Sequence, residues 1–523
     1  MQSIRRRWPR LLAALFLVAS AGVIHGRVAI RRSQGLLEHD ESISLMVAAG
    51  KSHLAQRLYA ERTSIHVASA GEIQFFMRYT DSTGFKDVLR SLAAFDIHPP
   101  FYFFMLHAAE RLGVSSQAVL RMFGFLIAVV AAWIAHRFIW PDAPPVAKFI
   151  GAAWLLLSPI CIDVATQLRQ YSLVYLGTLL SIAGLLRLGI ESKRPVRTAC
   201  LIAAGPLVLL GSHFGTVVWI GLLAVIGANM TWRMPTRRPL WWAVVSTLLI
   251  SSPLLYWWWK YAGAIGTSPR VPFVRIWPDL LRPMADGLGH AWISWPGRWK
   301  DAGLGPPLGL LIVIVALIVT WLRKSPMDRR LAWAMGLWTL AWLVLLARGR
   351  MPPHAVAAKY LAPVILGTLV LMVRATGDVS AMRVRLVAYG LLVVSMMSHG
   401  IGINQAWQRS VSAPLMAALS RCHCLMVNVP KRGFFLPLVA AMRPDARVMV
   451  ADTDVALQRW SEVETLLPPD SVVTAEILQT QESSSRELAA RLERKYENVT
   501  RLRDEPARTV TWYRRPTTPQ MTR

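Results

Sequence analysis

Acidic side chains stand directly after the first apolar run of this chain, where their type suggests proton transfer. Asp40 and Glu41 follow that run in "GLLEHDESISLMVAAG". A carboxylate can take a proton from a hydroxyl group that attacks a reacting carbon. Because a charge beside hydrocarbon is costly, ionisable groups in such places indicate function or ion pairing. The two acids are therefore candidates for a general base.

Charged and aromatic side chains occupy similar places at the ends of later apolar runs. Arginine, lysine and histidine suit the binding of a phosphate group through charge-assisted hydrogen bonds. The basic residues of these stretches therefore predict a site for a phosphate group. The acids of the first run would act beside it in proton transfer. The candidates are His98 in "FDIHPPFYFF", Asp163, Arg169 and Tyr171 in "SPICIDVATQLRQYSL", His213 in "LLGSHFGTVVW", and Arg348, Arg350, His354, Lys359 and Tyr360 in "ARGRMPPHAVAAKYLAP".

Each candidate also has an explanation that involves no chemistry. Charged loop residues are mostly exposed to solvent, and a proline pair suits the start of a helix. Arginine at the end of a span extends toward the interface, where tyrosine also concentrates. His213 fits a packed histidine equally well. Asp40, Glu41 and Arg169 are therefore the preferred functional residues.

Transmembrane helices are the elements that must position these residues. Of the 523 residues, 54% are hydrophobic and 17% are charged, whereas soluble proteins carry about 25% charged residues. Apolar runs such as "LGLLIVIVALIVTWL" approach the roughly 20 residues that a bilayer helix requires. The sequence predicts an all-α polytopic membrane protein with about eleven transmembrane helices, at residues 11–28, 118–138, 147–161, 172–190, 198–213, 214–231, 239–257, 304–322, 331–347, 360–374 and 385–400.

The net charge of +28 predicts an orientation rather than a nucleic-acid partner. Lysine and arginine gather in cytoplasmic loops, which accounts for a basic membrane protein without the nucleic acid that such a charge otherwise suggests. Eleven spans with the amino terminus inside place every strongly basic loop inside. If residues 99–112 also crossed, those loops would move outside. Residues 99–112 are therefore predicted to form a helix on the membrane surface.

This topology predicts two domains. Residues 1–401 form the membrane domain, with 29–117 as its first extracytoplasmic loop. Residues 402–523 alternate strand-like pieces such as "RVMVAD" with helix-like pieces such as "SSSRELAARLERKYENV". That alternation is typical of a small soluble α/β domain, which the topology places outside.

The order of these motifs resembles that of the GT-C glycosyltransferases. "HDES", "DIHPPFYFF", "SPICIDVATQLRQYSL", "SHFG" and "KYLAPVI" occur in sequence over roughly residues 1–400. The chain is most similar to the branch with protein O-mannosyltransferases and the lipid A aminoarabinose transferase. That branch has an acidic "DE", an "HPP" or "KPP" helix, "SPxxxxxxQEARxYxL" and a late "RYLxPxLP". The resemblance implies a GT-C fold in a bacterial inner membrane, with an extracytoplasmic active site that takes a sugar from a polyprenyl phosphate.

The resemblance also implies roles for individual residues. Asp40, with Glu41 beside it, would take the proton of the acceptor hydroxyl, and the configuration of the sugar would invert. Cations that neutralise a leaving phosphate ease its departure. The residues implied for the phosphate of the donor are Arg169, Tyr171, Lys359, Tyr360 and His98.

Two positions depart from the pattern of that branch. Gln167 stands where the motif has glutamate, and Lys359 stands where it has arginine. Arginine binds a phosphate with two parallel bonds and lysine as a point charge, so the contact could instead involve Arg348 or Arg350. The four cysteines of the chain lack paired metal-site spacing. We expect no metal or other cofactor; the expected partners are a polyprenyl-phosphate sugar, membrane lipid and an acceptor glycan, lipid or protein.

Two other classes of function fit parts of the sequence. A transporter or flippase of a lipid-linked sugar would make similar lipid contacts. Transporters usually carry internal repeats and polar groups near the bilayer midplane, whereas this chain shows no clear repeat and its charges gather at span ends. A scaffold whose carboxy-terminal segment binds a partner is the third class. The ordered motifs favour the transferase.

Overall fold

The chain divides into two compact units in its computed structural model. The first, here the helical unit, comprises Met1–Ile30, Ile97–Tyr102 and Ser116–Arg409; the second, here the mixed unit, comprises Arg31–Asp96, Phe103–Ser115 and Ser410–Arg523. The structure describes residues 2–52, 65–96, 98–190, 195–210, 219–221, 223, 225, 245, 249, 252, 256, 281–293, 305–323, 325–347, 358–377, 382–408, 413–428, 436–451, 453–468, 471–476, 482–496, 498–505 and 508–514.

Helices dominate the described residues. In chain order they are α1 (Gln2–Ser33), α2 (His39–Ala48), α3 (Ala70–Phe75), α4 (Phe85–Phe95), α5 (Phe101–Arg111), α6 (Gln117–Ile134), α7 (Pro145–Leu157), α8 (Pro159–Thr166), α9 (Tyr171–Ile190), α10 (Pro195–Leu210), α11 (Arg282–Trp292), α12 (Gly305–Leu322), α13 (Pro326–Ala347), α14 (Ala362–Ala375), α15 (Met382–Gln408), α16 (Ala413–Arg421), α17 (Leu436–Ala440), α18 (Thr453–Gln458), α19 (Trp460–Leu466) and α20 (Glu482–Lys495). A π-helical turn, Ala135–Ile139, extends α6, and a 3-10 turn, Ala358–Tyr360, precedes α14.

Strands are confined to the mixed unit within the described part of the chain. They are β1 (His66–Ser69), β2 (Cys424–Asn428), β3 (Arg447–Ala451), β4 (Ser471–Glu476), β5 (Asn498–Glu505) and β6 (Arg508–Arg514).

Two described helices are long and apolar enough to cross a bilayer, namely Pro9–Ser33 within α1 and Gln117–Ile139, which joins α6 to its π-helical turn. The bent pair α7 and α8 would add a third span. Shorter apolar stretches lie in α9, α10, α12 and α14. The total of eleven spans stays a prediction, and most of the spans predicted at 214–231 and 239–257 lies outside the described residues.

A break at Ser158 shortens the span that the sequence predicts at 147–161. Proline has no backbone N–H to continue a helix and pushes the preceding residue into an extended conformation. Ser158 accordingly has φ −65° and ψ 140°, and its hydroxyl accepts a bond from the Cys161 backbone N–H at 3.3 Å. The two helices meet at an angle of 47°. The "SP" step therefore starts a short helix, α8, that leads to Arg169.

A small residue brings α6 directly against α8. A Cβ atom on Gly124 would lie only 2.0 Å from the carbonyl oxygen of Ala165. No larger side chain fits there without separating the two helices. Glycine at this position thus sets the distance between α6 and the end of α8.

A buried ion cluster joins α12, α13 and α14. Asp328 is fully buried, and it accepts hydrogen bonds from Arg323 Nη1 and Arg374 Nε at 2.7 Å each. Buried charges of this kind are stable when they are paired and hydrogen-bonded. The cluster fixes the start of α13 against the last turn of α14.

The described strands of the mixed unit form a six-stranded sheet in the order β1-β3-β2-β4-β6-β5. β2 lies parallel to β3 and β4, while β6 lies antiparallel to β4 and β5. Four of the five residues of β3 are buried, as is typical of strands covered on both faces. β1, from the predicted first loop, pairs antiparallel with β3. The compact unit thus combines the carboxy-terminal segment with residues 31–96 and 103–115, and the boundary at 402 stays a prediction.

The segment predicted to lie on the membrane surface contains α5. Eleven residues of helix rise about 16 Å, which is roughly half of the hydrocarbon thickness. α5 alone is therefore too short to cross a bilayer. It packs with Phe103, Leu106 and His107 buried.

Candidate functional site

Arg169 is the central cation of the candidate site. It follows α8 in a short linker and is 4% exposed. One guanidinium nitrogen, Nη2, lies 3.3 Å from Nδ1 of His98. Because a guanidinium can only donate, this bond requires an unprotonated Nδ1 on the imidazole. His98 thus orients the arginine that the sequence assigns to a phosphate.

Lys359 forms a second cationic group with two tyrosines. The hydroxyl oxygens of Tyr171 and Tyr360 lie 2.9 Å apart, and their rings are nearly perpendicular with centroids 5.4 Å apart. Lys359 Nζ lies 4.6 Å from the centre of the Tyr171 ring and 5.5 Å from that of Tyr360. A cation at these distances is attracted by the ring faces. The start of α9 and the turn before α14 are joined by this cluster.

The two cationic groups are neighbours within the helical unit. Tyr171 follows Arg169 by two residues at the end of the linker, and its hydroxyl lies 2.9 Å from that of Tyr360. The structure therefore brings together all five residues that the sequence assigns to the phosphate of the donor. We call them the cation cluster; they are His98, Arg169, Tyr171, Lys359 and Tyr360.

Gln167 has a local explanation in the structure. Its Nε2 donates a hydrogen bond to Oδ2 of Asp163 at 3.1 Å, one turn back along the chain. A glutamate at position 167 would instead place a second carboxylate against Asp163, and like charges at such a distance repel. The amide thus allows Asp163 to remain beside the linker that carries Arg169.

Arg121 is a buried cation that the sequence reasoning missed. It lies in α6 and is 1% exposed, and its Nη1 donates to the backbone oxygen of Thr166 at 2.7 Å. Thr166 ends α8, where carbonyls lack helical partners and carry partial negative charge. Arg121 therefore fixes the point from which the Arg169 linker starts. The signal was an arginine inside the apolar run "QAVLRMFGFLI", because ionisable groups in such runs are rare.

A small cavity lies beside the start of α9. Its volume is about 20 Å³, and its lining includes Cys161, Ser172 and Tyr175. The hydroxyls of Ser172 and Tyr175 are buried and have no hydrogen-bond partner among the described residues. A space of this size with two polar groups would accommodate one water molecule.

The two predicted acids belong to the mixed unit. Glu41 is 2% exposed and is the third residue of α2, where its Oε2 accepts a bond from the backbone N–H of Glu38 at 3.1 Å. This bond forms half of a capping box that fixes the start of the helix. The backbone oxygen of Asp40 accepts a bond from Ser44 Oγ at 3.0 Å. Glu41 thus has a structural function, which orients the first turn that carries Asp40.

Four predicted residues fall outside the described part of the chain, namely His213, Arg348, Arg350 and His354. Among the residues that the structure describes, no three His, Cys, Asp or Glu side chains gather as a metal site would require. The expectation that the protein needs no metal stays a prediction.

Comparisons with known proteins concern the fold. No family model and no curated protein matches the chain. The structure of ArnT from Cupriavidus metallidurans in the apo state has a TM-score of 0.52 and 14% identity, over 95% of this chain and 97% of that chain. The structure of the same protein bound to undecaprenyl phosphate has a TM-score of 0.48 over the same shares. ArnT is a lipid A aminoarabinose transferase of the GT-C type, so the likeness to its apo form confirms the predicted GT-C fold.

Proposed function

We propose that this chain is a glycosyltransferase that moves a sugar from a polyprenyl-phosphate donor to an acceptor hydroxyl on the extracytoplasmic face of the membrane. The observation that carries the proposal is the cation cluster, in which Arg169 and Lys359 are held by His98 and two tyrosines. The ordered motifs and the GT-C fold support the same function.

The cation cluster suits a phosphate that must leave. The guanidinium of Arg169 offers two parallel donors to phosphate oxygens, and Lys359 adds a second positive charge. Burial strengthens the attraction between a cation and an anion because little water screens it. Charge that grows on the phosphate as the sugar departs is then stabilised by groups already in place. We propose that these two residues bind the donor and stabilise the leaving phosphate.

Asp40 is the base in this proposal. The acceptor oxygen forms a bond to the anomeric carbon while the bond from that carbon to the phosphate oxygen breaks. The electron pair of the broken bond leaves with the phosphate, and the proton of the hydroxyl passes to Asp40. Attack and departure on opposite faces of the sugar invert its configuration. Glu41 acts in this scheme through the capping of α2, and the step as written needs no metal.

The test is transfer by the purified full-length protein in lipid nanodiscs, offered a panel of polyprenyl-phosphate sugars and acceptors. Donor binding is measured on the same preparations. We expect Asp40→Asn to reduce transfer by about 100-fold or more, as the loss of a general base does, with donor binding unchanged. Asp81→Asn, at an exposed site of the same predicted loop, is the control.

Normal transfer by Asp40→Asn would exclude Asp40 as the base. Binding of one donor without any transfer to the acceptors of the panel, together with movement of that lipid across vesicles, would favour the transporter instead. Binding of no donor by the wild type, or equal binding after loss of Arg169, would contradict the assignment of the cation cluster.

A further inference from the structure

We propose that the carboxy-terminal segment, residues 413–514, positions α2, the helix with Asp40, and that Gln74 and Lys51 are the positioning residues. The effect of this positioning on catalysis rests on the function proposed above, whereas the positioning itself does not. All the contacts below lie within the mixed unit.

The first contact is made by the backbone. β1 extends the sheet by pairing with β3, from His66 opposite Val450 to Ser69 opposite Arg447. Immediately after β1, Gly71 donates its N–H to the Pro444 oxygen at 2.8 Å. A Cβ on this glycine would lie 3.0 Å from that oxygen. The residues after β1 therefore pack directly against the backbone of the carboxy-terminal segment.

Gln74 makes the second contact, at the end of α17. It lies in α3 and is 6% exposed. Its Nε2 donates to the backbone oxygens of Val439 and Met442, at 2.9 Å each. The Val439 oxygen also accepts the Met442 backbone N–H at 3.1 Å. Gln74 therefore adds a second bond to that oxygen and supplies a side-chain donor to the Met442 oxygen just beyond the helix. Gln74 thus joins α3 to the end of α17.

Lys51 makes the same kind of contact at the end of α3. It is 2% exposed and follows α2 closely. Its Nζ donates to the backbone oxygens of Arg78 at 2.8 Å and Phe75 at 3.3 Å, and it lies 3.4 Å from the centre of the Phe75 ring. Lys51 thus joins the end of α2 to the end of α3.

These contacts close a ring of three helices. α2 is joined to α3 by Lys51, α3 is joined to α17 by Gln74, and α17 packs against both α2 and α3. In two of the three links a buried side chain donates to carbonyl oxygens at or just beyond the end of the next helix. Loss of Gln74 removes the side-chain donor of the buried Met442 oxygen, and loss of Lys51 removes that of the Arg78 oxygen. The ring then opens, and the orientation of α2 is no longer fixed.

The experiment compares Gln74→Met, which keeps the size of the side chain but donates nothing, with Gln74→Lys, whose ammonium group restores donors. Gln458→Met, at an exposed site in the same unit, is the control. Hydrogen exchange of the full-length protein in nanodiscs measures the protection of residues 39–48. We expect Gln74→Met to lower that protection at least tenfold, Gln74→Lys to restore most of it, and the control to leave it unchanged.

Transfer is measured on the same preparations. We expect Gln74→Met to lower kcat with little change in the KM for the donor, because Gln74 does not belong to the cation cluster. Gln74→Glu adds a pH readout. Its carboxylate faces two carbonyl oxygens, and protonation restores one donor, so the loss of protection should shrink as the pH falls.

The outcomes separate the two proposals. If the wild type transfers no sugar but Gln74→Met still lowers the protection of α2, the positioning is supported and the proposed function is wrong. If Gln74→Met leaves both the protection of α2 and kcat unchanged, the positioning is wrong. Should Gln74→Met fail to fold, Lys51→Met replaces it, and unchanged protection of α2 in that variant overturns the proposal.

Discussion

Arg169 is the residue on which the proposed chemistry most directly depends. Arg169→Lys keeps the charge but loses the planar fork and the bond to His98. Hydrogen bonds to charged groups contribute about 1.5–3 kcal/mol, so we expect donor affinity to fall about 10- to 100-fold. Binding of a polyprenyl-phosphate sugar to protein in nanodiscs measures this. Arg330→Lys, at an exposed site of the helical unit, should bind as the wild type does; equal binding by both variants would contradict the role of Arg169.

Glu110 gives the mixed unit a pH dependence. Burial raises the pKa of this carboxyl to about 7, although the positive charge of Lys51 partly offsets the shift. Burial also lowers the pKa of Lys51 to about 8, and the charge of Glu110 again offsets part of that shift. Each group therefore loses or gains its proton within the range of ordinary buffers.

The sign of each shift determines how stability changes with pH. From pH 4.5 to about 7 the folded chain keeps the Glu110 proton that the unfolded chain loses, so the free energy of unfolding falls as pH rises. From about pH 8 to pH 10.5 the folded chain has already released the Lys51 proton, which the unfolded chain still holds. The contribution of Lys51 to the free energy of unfolding therefore rises with pH. We expect Glu110→Gln to remove the fall below pH 7 and to keep the rise above pH 8. Thermal unfolding of the full chain in detergent, repeated at a series of pH values, measures this dependence. If Glu110→Gln unfolds with the same pH dependence as the wild type, Glu110 is not its cause.

At the scale of the element, the linker between α8 and α9 depends on its support by Arg121. Arg121→Met leaves the Thr166 oxygen buried without its donor, and an unpaired group of this kind costs about 1–3 kcal/mol. We expect lower thermal stability and weaker donor binding together, although Arg121 is outside the cation cluster. Arg121→Lys should retain part of both. Arg111→Met, at an exposed helix end, is the control, and a stability loss with full donor affinity would limit Arg121 to a structural role.

The sequence predicted those elements that are determined by residues close to one another in the chain. The helix at 99–112 follows from its composition and length, and the cation cluster follows from motifs in a known order. The break at Ser158 follows from proline, but the apolar run 147–161 conceals it. β1 could not be predicted, because a four-residue strand is defined by its pairing with β3 almost 400 residues away. The hydrogen bonds of Gln74 and Arg121 likewise depend on distant carbonyls that no local pattern reveals.

At the scale of the whole molecule, the distribution of basic residues predicts which parts of the chain lie outside. The mixed unit, with Asp40, would then lie outside, and the start of α13 would lie inside. The native cysteines permit a clean test. Cys422 and Cys424 are buried, and burial raises the pKa of each thiol to about 12. Because the thiolate is the reactive form, both should resist maleimide near neutral pH.

We therefore expect a membrane-impermeant maleimide to label Ser420→Cys in intact spheroplasts. Ser420 is exposed on α16, close to the two unreactive thiols, and Cys200, which is also exposed, is replaced by alanine in every variant. Arg330→Cys, exposed at the start of α13, should react only after the membrane is permeabilised. Because Asp40 and Ser420 belong to the same compact unit, the side on which position 420 reacts is also the side of Asp40. Labelling of position 330 alone from outside would therefore overturn the orientation and place Asp40 on the opposite side from the acceptors proposed for it.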